Sequence, residues 1–172
     1  MRTKTRTSLA AVTLGLIAAS APAATALPSW TTGPTTIAAS PKAFQPAVVN
    51  LRVGEHRRFD RVVIDIRGRR PGVRANYTDR LIYPGSGLAV PLRGHRKFQL
   101  VLDPARAHNL TTGATTYHGP RLKQYHLPTL RGVAFMGDFE GQVEFGFTTD
   151  RVAPYRIFQL TDPRRVVLDF HH

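Results

Sequence analysis

From position 48 onward the chain runs in short segments where apolar and polar residues alternate, cut by Gly and Pro. Val143, Phe145 and Phe147 alternate with Gln142, Glu144 and Gly146, the two-residue period of a strand with one buried face. The same texture predicts strands at 48–53, 60–67, 73–83, 97–103, 131–136, 142–148, 155–160 and 164–170. No longer window carries the 3.6-residue period of an amphipathic helix. Many short strands between Gly and Pro predict an all-β protein, a single β-sandwich domain of short, mostly antiparallel strands. The main interruption, 104–128, is read as one long loop.

One phrase occurs twice, as Arg61-Val62-Val63-Ile64-Asp65 and as Arg165-Val166-Val167-Leu168-Asp169. In the first copy Val62, Ile64 and Ile66 share a face, opposed by Arg61, Val63 and Asp65; in the second Val166, Leu168 and Phe170 oppose Arg165, Val167 and Asp169. Each strand thus has an apolar face for a core and a face reading Arg, Val, Asp. Parallel pairing in matching register would set Arg against Arg. Antiparallel pairing sets Arg61 opposite Asp169, Val63 opposite Val167 and Asp65 opposite Arg165, each opposed pair contributing about 0.2–1 kcal/mol. Antiparallel neighbours in this register are the expectation.

The N-terminus carries Arg2, Lys4 and Arg6, an apolar run from Leu9 to Ala19, and the small-x-small end Ala24-Thr25-Ala26. This is the pattern of a secretory signal peptide over 1–26. The apolar run falls short of the roughly 20 residues of a bilayer span, and no transmembrane segment is expected in the mature chain. The absence of cysteine excludes an acylated anchor and disulfides, so an exported form depends on its hydrophobic core. Residues 27–46, rich in Thr, Ala, Ser and Pro, read as a flexible leader, with the domain at 47–172. Three of the 24 Lys and Arg fall in the signal, leaving 21 against 11 Asp and Glu, a formal charge of +10 on the mature chain. That balance favours polyanions such as anionic wall polymers. Nucleic acid is the weaker reading, because neither a basic patch with interleaved aromatics nor a groove-binding helix is visible.

The order His56-x-x-Phe59-Asp60-Arg61-Val62-Val63, then Gly137-Asp138-Phe139-Glu140-Gly141, then Pro163-x-Arg165-Val166-Val167-Leu168-Asp169 resembles the AMIN-like domain of secreted bacterial proteins. That family is similar to the AMIN domain, which helps place amidases and secretion components at the cell wall. The resemblance covers 48–172 and implies a β-sandwich at the envelope. It implies no catalytic residues, because in AMIN proteins the chemistry belongs to a separate domain. The matched positions are His56, Phe59, Asp60, Arg61, Phe139, Glu140, Gly141, Arg165 and Asp169.

Candidate chemistries each meet a plainer alternative. His56 and Asp60 on one surface would make an acid/base pair or a polar ligand contact, whereas the favoured reading has His56 donate a hydrogen bond that closes the turn into a strand. Asp138 and Glu140 are spaced like paired glycosidase carboxylates. Their flanking glycines favour a hairpin with Phe139 in the core and both acids in water. With Trp30 in the leader, no aromatic sugar cleft is evident. The histidines at 56, 95, 108, 118, 126, 171 and 172 lack the spacing of a metal site, and no metal or cofactor is expected. Gly85-Ser86-Gly87 lacks the outer spacing of a nucleophile elbow. Arginine is the better-supported feature: Arg67, Arg69 and Arg70, then Arg93, Arg96 and Lys97, then Arg164 and Arg165 cluster near turns, and arginine forks suit carboxylate and phosphate.

The expectation is therefore a secreted, non-catalytic cell-envelope module binding peptidoglycan or anionic wall polymer through Arg-rich loops. Its ligand contacts would come from His56, Asp60, Arg61, Arg67, Arg69, Arg70, Glu140, Arg165 and Asp169. A module for another exported protein is the alternative, and a small envelope hydrolase the third reading.

Overall fold

Alternation resolves into β1 (Thr35–Ile37), β2 (Ala47–His56), β3 (Phe59–Arg67), β4 (Gly72–Thr78), β5 (Arg96–Asp103), β6 (Leu122–Gln124), β7 (Leu130–Phe139), β8 (Gln142–Thr149), β9 (Tyr155–Thr161) and β10 (Arg164–His171). The structure is a computed structural model that describes residues 26–42 and 44–172, so the signal-peptide reading lies, but for Ala26, outside the described residues. No helix occurs among the described residues. One sheet has the order β1-β4-β5-β8-β7-β6 and the other β2-β3-β10-β9. Every pairing between these strands is antiparallel.

The sheets face each other across a core built from the alternate positions of the period-two runs. Val62 and Ile64 of β3, Leu168 and Phe170 of β10, Phe98, Leu100 and Leu102 of β5, and Phe145 and Phe147 of β8 are fully buried. Phe98 is the centre of the aromatic contacts, with ring centroids 4.6 Å from Tyr155 and 5.2 Å from Phe170. Each such side chain contributes about 1.5–3 kcal/mol by leaving water.

The repeated phrase pairs in the expected register: β3 and β10 set Arg61 against Asp169, Val63 against Val167 and Asp65 against Arg165. The predicted strands are present, although the run from 73 ends at Thr78. Segment 104–128 is less irregular than expected. It contributes β6, and its backbone hydrogen-bonds along the edge of β2 through Val48 N to Arg106 O (2.7 Å) and His118 N to Val49 O (2.9 Å). An edge strand is thereby covered rather than left as a template for another chain.

Two expectations are corrected. The leader is not detached over its whole length: Thr31 and Tyr155 exchange backbone hydrogen bonds, β1 pairs with β4, and the Tyr155 hydroxyl donates to the Gly33 carbonyl. The β-branched Thr35-Thr36-Ile37 suits a sheet edge despite its loop-like surroundings. Phe139, expected in the core, is 60% exposed, because a bulge between Phe135 and Gly137 shifts the alternation of β7. The hairpin itself is as expected, with Glu140 (φ 49°) and Gly141 (φ 78°) forming the two-residue turn with positive φ that matches strand twist.

Candidate functional site

The outer faces of the two sheets differ. Residues 79–95 fold over the six-stranded sheet, where Leu81, Val90 and Leu92 pack with Ala134 and Met136. The four-stranded sheet turns its outer face to solvent, and strand register arranges that face in rows. Gly54, Arg61, Asp169 and Arg156 form one row; Arg52, Val63, Val167 and Phe158 the next; Asn50, Asp65, Arg165 and Leu160 the third.

Asp169 is the buried centre of the first row. Arg61 donates to both its oxygens (Nε to Oδ1, 2.7 Å; Nη2 to Oδ2, 2.8 Å), and Arg156 Nε donates to Oδ2 (2.8 Å). The hydrogen bond to Asp169 pushes the Arg61 guanidinium above its ordinary pKa, against the opposing effect of burial. Both guanidiniums also lie over aromatic rings: Arg61 over Phe59 (4.9 Å) and Phe158 (5.5 Å), Arg156 over Trp30 (4.3 Å) and Phe59 (5.3 Å). Trp30 thus packs at one corner of this face, edge-on to His171 at 4.8 Å, and His56 stacks on Phe59 at 4.7 Å. Trp30, read from the sequence as part of a flexible leader, is thus folded back onto this face, with Arg156 over its ring. In the third row Asp65 meets Arg52 (2.7 Å) and Arg165 (3.6 Å) in more open surroundings.

His56 and Asp60 do not share a surface. Asp60 lies in phase with Val62 and Ile64 and points into the sandwich, fully buried. Its Oδ2 accepts from the backbone of Thr129 and of Leu130, both at 2.8 Å, and its Oδ1 meets Nε2 of His172 at 3.0 Å. The acid staples the start of β7 to β3, while His56 stays exposed at the β2–β3 turn. Asp138 and Glu140 also part company. Asp138 Oδ2 accepts from Ala107 N (2.7 Å) and meets His108 Nδ1 (2.5 Å). Asp138 is therefore not in water as expected, and Glu140 is exposed in the turn.

The arginine clusters fall at opposite ends. Arg67 and Arg164 line a groove of about 560 Å³ between the β3–β4 loop and the β9–β10 turn, together with Val49, Asp65 and Asp162. Arg69 and Arg70 are exposed in that loop, Arg70 Nε donating to Ser40 Oγ at 3.4 Å. No ion pair among the described residues includes Arg67, Arg69 or Arg164. Arg96 and Lys97 open β5 and Arg93 lies just before it, at the other end of the sandwich, about 24 Å from the Asp103 end by the length of that strand. Arg165 belongs to the outer face and not to the groove. Sequence reasoning missed Arg156, which becomes visible only when β9 is placed beside β10.

The model of the AMIN-like domain family matches residues 46–172. No curated protein and no solved structure matches the chain. The match spans most of the chain, which belongs to the AMIN-like family.

Proposed function

We propose that this AMIN-like protein is a secreted, non-catalytic module of the cell envelope that holds peptidoglycan or anionic wall polymer in the groove between the β3–β4 loop and the β9–β10 turn. Family membership points to the envelope. The finer reading rests on one observation: Arg67 and Arg164 share a groove with Arg69 and Arg70 alongside, and Arg67, Arg69 and Arg164 make no ion pair among the described residues. Guanidinium forks free of internal partners suit the repeated phosphates or carboxylates of a wall polymer. No part is assigned to a catalytic group or a cofactor.

The test is retention of the purified protein on cell wall, with and without its anionic polymer, across a salt series. Retention that falls with ionic strength and disappears on stripping the polymer supports the reading, since exposed charges are screened beyond about 8 Å at physiological salt. Unchanged retention in Arg69→Glu plus Arg70→Glu, or in Arg67→Glu plus Arg164→Glu, overturns the groove.

A second reading, docking of another exported protein, is favoured by the outer face of the four-stranded sheet, where Val63 and Phe158 are half-buried among Arg52, Arg61 and Arg165. Binding through that face would survive salt and fail on Phe158→Ala.

A further inference from the structure

At the opposite end of the sandwich the 93–95 loop, the residues around β6 and the start of β7 enclose a second depression of about 410 Å³. Its walls are Arg93, His95, Gln124, Tyr125, His126 and Arg131, with Asp150 at one side. This cleft is held in shape by hydrogen bonds behind it. Thr148 Oγ1 donates to the Arg93 carbonyl (2.8 Å), His95 N to the Thr149 carbonyl (3.0 Å), and Tyr125 N to the Arg131 carbonyl (2.7 Å). With its amide oriented so that both of its polar atoms are satisfied, Gln124 ties the two arginine backbones together: its nitrogen then donates to the carbonyls of Arg131 (2.9 Å) and Arg93 (3.3 Å), and its oxygen accepts from Arg93 N (2.8 Å). Gly94 permits the close approach, since at its φ of 153° a Cβ would lie 2.4 Å from Thr148 Cβ.

The charges in this frame are unbalanced. Arg93 and Arg131 face one carboxylate, Asp150, whose Oδ2 is taken by Arg151 Nη1 at 2.9 Å. His95 Nδ1 lies 3.0 Å from the Asp150 carbonyl, which can only accept, so Nδ1 carries a proton, and Nε2 has no hydrogen-bond partner among the described residues. An anion at Nε2 needs a donor there. The groups around His95 are Arg93, Tyr125, His126, Arg131 and Asp150 on the cleft side, and Tyr77, Asp79, Arg96 and Lys97 in the adjoining depression.

We infer that this cleft is a binding site for a small oxyanion, the carboxylate or phosphate of a ligand whose body lies against Tyr125, held by Arg93 and Arg131 with His95 beside them. The volume suits a ligand of a few rotatable groups and is too small for a protein segment of any length. The site stands apart from the arginine groove and does not depend on it.

The experiment is a titration of the purified protein with glycerol 3-phosphate and, separately, with N-acetyl-D-alanine, read by calorimetry and by the histidine ring signals in NMR. The two probes separate a phosphate source from a carboxylate source. Saturable binding of either, with movement of the His95 ring signal, is expected. Arg93→Gln and Arg131→Gln should each weaken it about tenfold, the usual scale for one charge-assisted contact. Arg67→Glu plus Arg164→Glu should leave it unchanged, which keeps this result distinct from failure of the groove. Absence of saturable binding by both probes, or binding that Arg93→Gln and Arg131→Gln do not change while near-UV circular dichroism shows them folded, overturns the inference.

Discussion

Asp65 and Asp169 occupy the same place in the repeated phrase, yet their replacement by Asn should have very different effects. Asp169 is fully buried, and three charge-assisted hydrogen bonds of 2.7–2.8 Å converge on it from Arg61 and Arg156, whose side chains are 27% and 12% exposed. Removing one partner of a buried ion pair costs about 3–5 kcal/mol, chiefly because a charge is left without compensation. Arg61 is exposed enough to turn toward water, which discounts the upper part of that range and leaves about 3 kcal/mol for Asp169→Asn, with Arg156 the stranded group. Asp65 is 24% exposed and its partners Arg52 and Arg165 are 54% and 30% exposed. Exposed pairs contribute about 0.2–1 kcal/mol, so Asp65→Asn should cost about 0.5 kcal/mol. Urea denaturation at pH 7 followed by far-UV circular dichroism measures both, and the Asp169 change should lower Tm by roughly 10 °C. Replacing Asp169, Arg61 and Arg156 together by Leu should recover much of the loss, because no guanidinium is then left unpaired. A loss below about 1 kcal/mol for Asp169→Asn, or equal losses at the two positions, would refute the burial argument, since burial is what distinguishes them.

Asp60→Ala leaves the amides of Thr129 and Leu130 buried without an acceptor and should cost about 3 kcal/mol, with faster hydrogen exchange at both. Asp60→Asn should cost less than half as much, because one oxygen serves both amides and an Asn carbonyl can take its place. Trp30→Ala removes the ring beneath Arg156 and should cost about 1–2 kcal/mol by denaturation, which a freely moving leader would not show. Burial pushes the phenols of Tyr77, Tyr117, Tyr125 and Tyr155 up from the ordinary value of 10. A raised folded pKa means that the unfolded chain loses its protons first, so this stability is complete below about pH 10 and falls as pH rises above it. Absorbance at 295 nm should show these phenols ionising above pH 10 in the folded chain, whereas their ionisation near pH 10 in a chain that stays folded would contradict it.

The register of β3 and β10 was legible because alternation and charge agree: only one antiparallel alignment opposes both arginines to both acids while keeping the apolar faces together. The unequal burial of Asp65 and Asp169 was not legible. It depends on β9, which brings Arg156 beside Asp169 and Leu160 beside Arg165, and on Trp30 folding back over Arg156. Asp60 carried a usable signal, since it alternates in phase with Val62, Ile64 and Ile66, but a carboxylate on a core face makes sense only once the backbone amides that it receives are known. Phe139 was misplaced by a bulge, which moves a residue across the sheet with no mark in the local pattern. The arginine clusters read as equivalent along the chain, and only the antiparallel path of β4 and β5 sends them to opposite ends.

That separation bears on what the unpaired arginines do. The Arg61 and Arg156 guanidiniums hold the four-stranded sheet together, so their loss would confound any binding assay with unfolding. Arg67, Arg69 and Arg164 contribute no ion pair among the described residues, and in a chain with a large positive excess each adds self-repulsion to the compact state. Replacing all three by Glu should therefore leave Tm unchanged or raise it, while retention on polymer-bearing wall falls and loses its salt dependence. Thermal denaturation and wall sedimentation on the same variant supply both numbers. A variant that is destabilised and still retained would place these arginines in the architecture of the fold and leave the groove without a ligand.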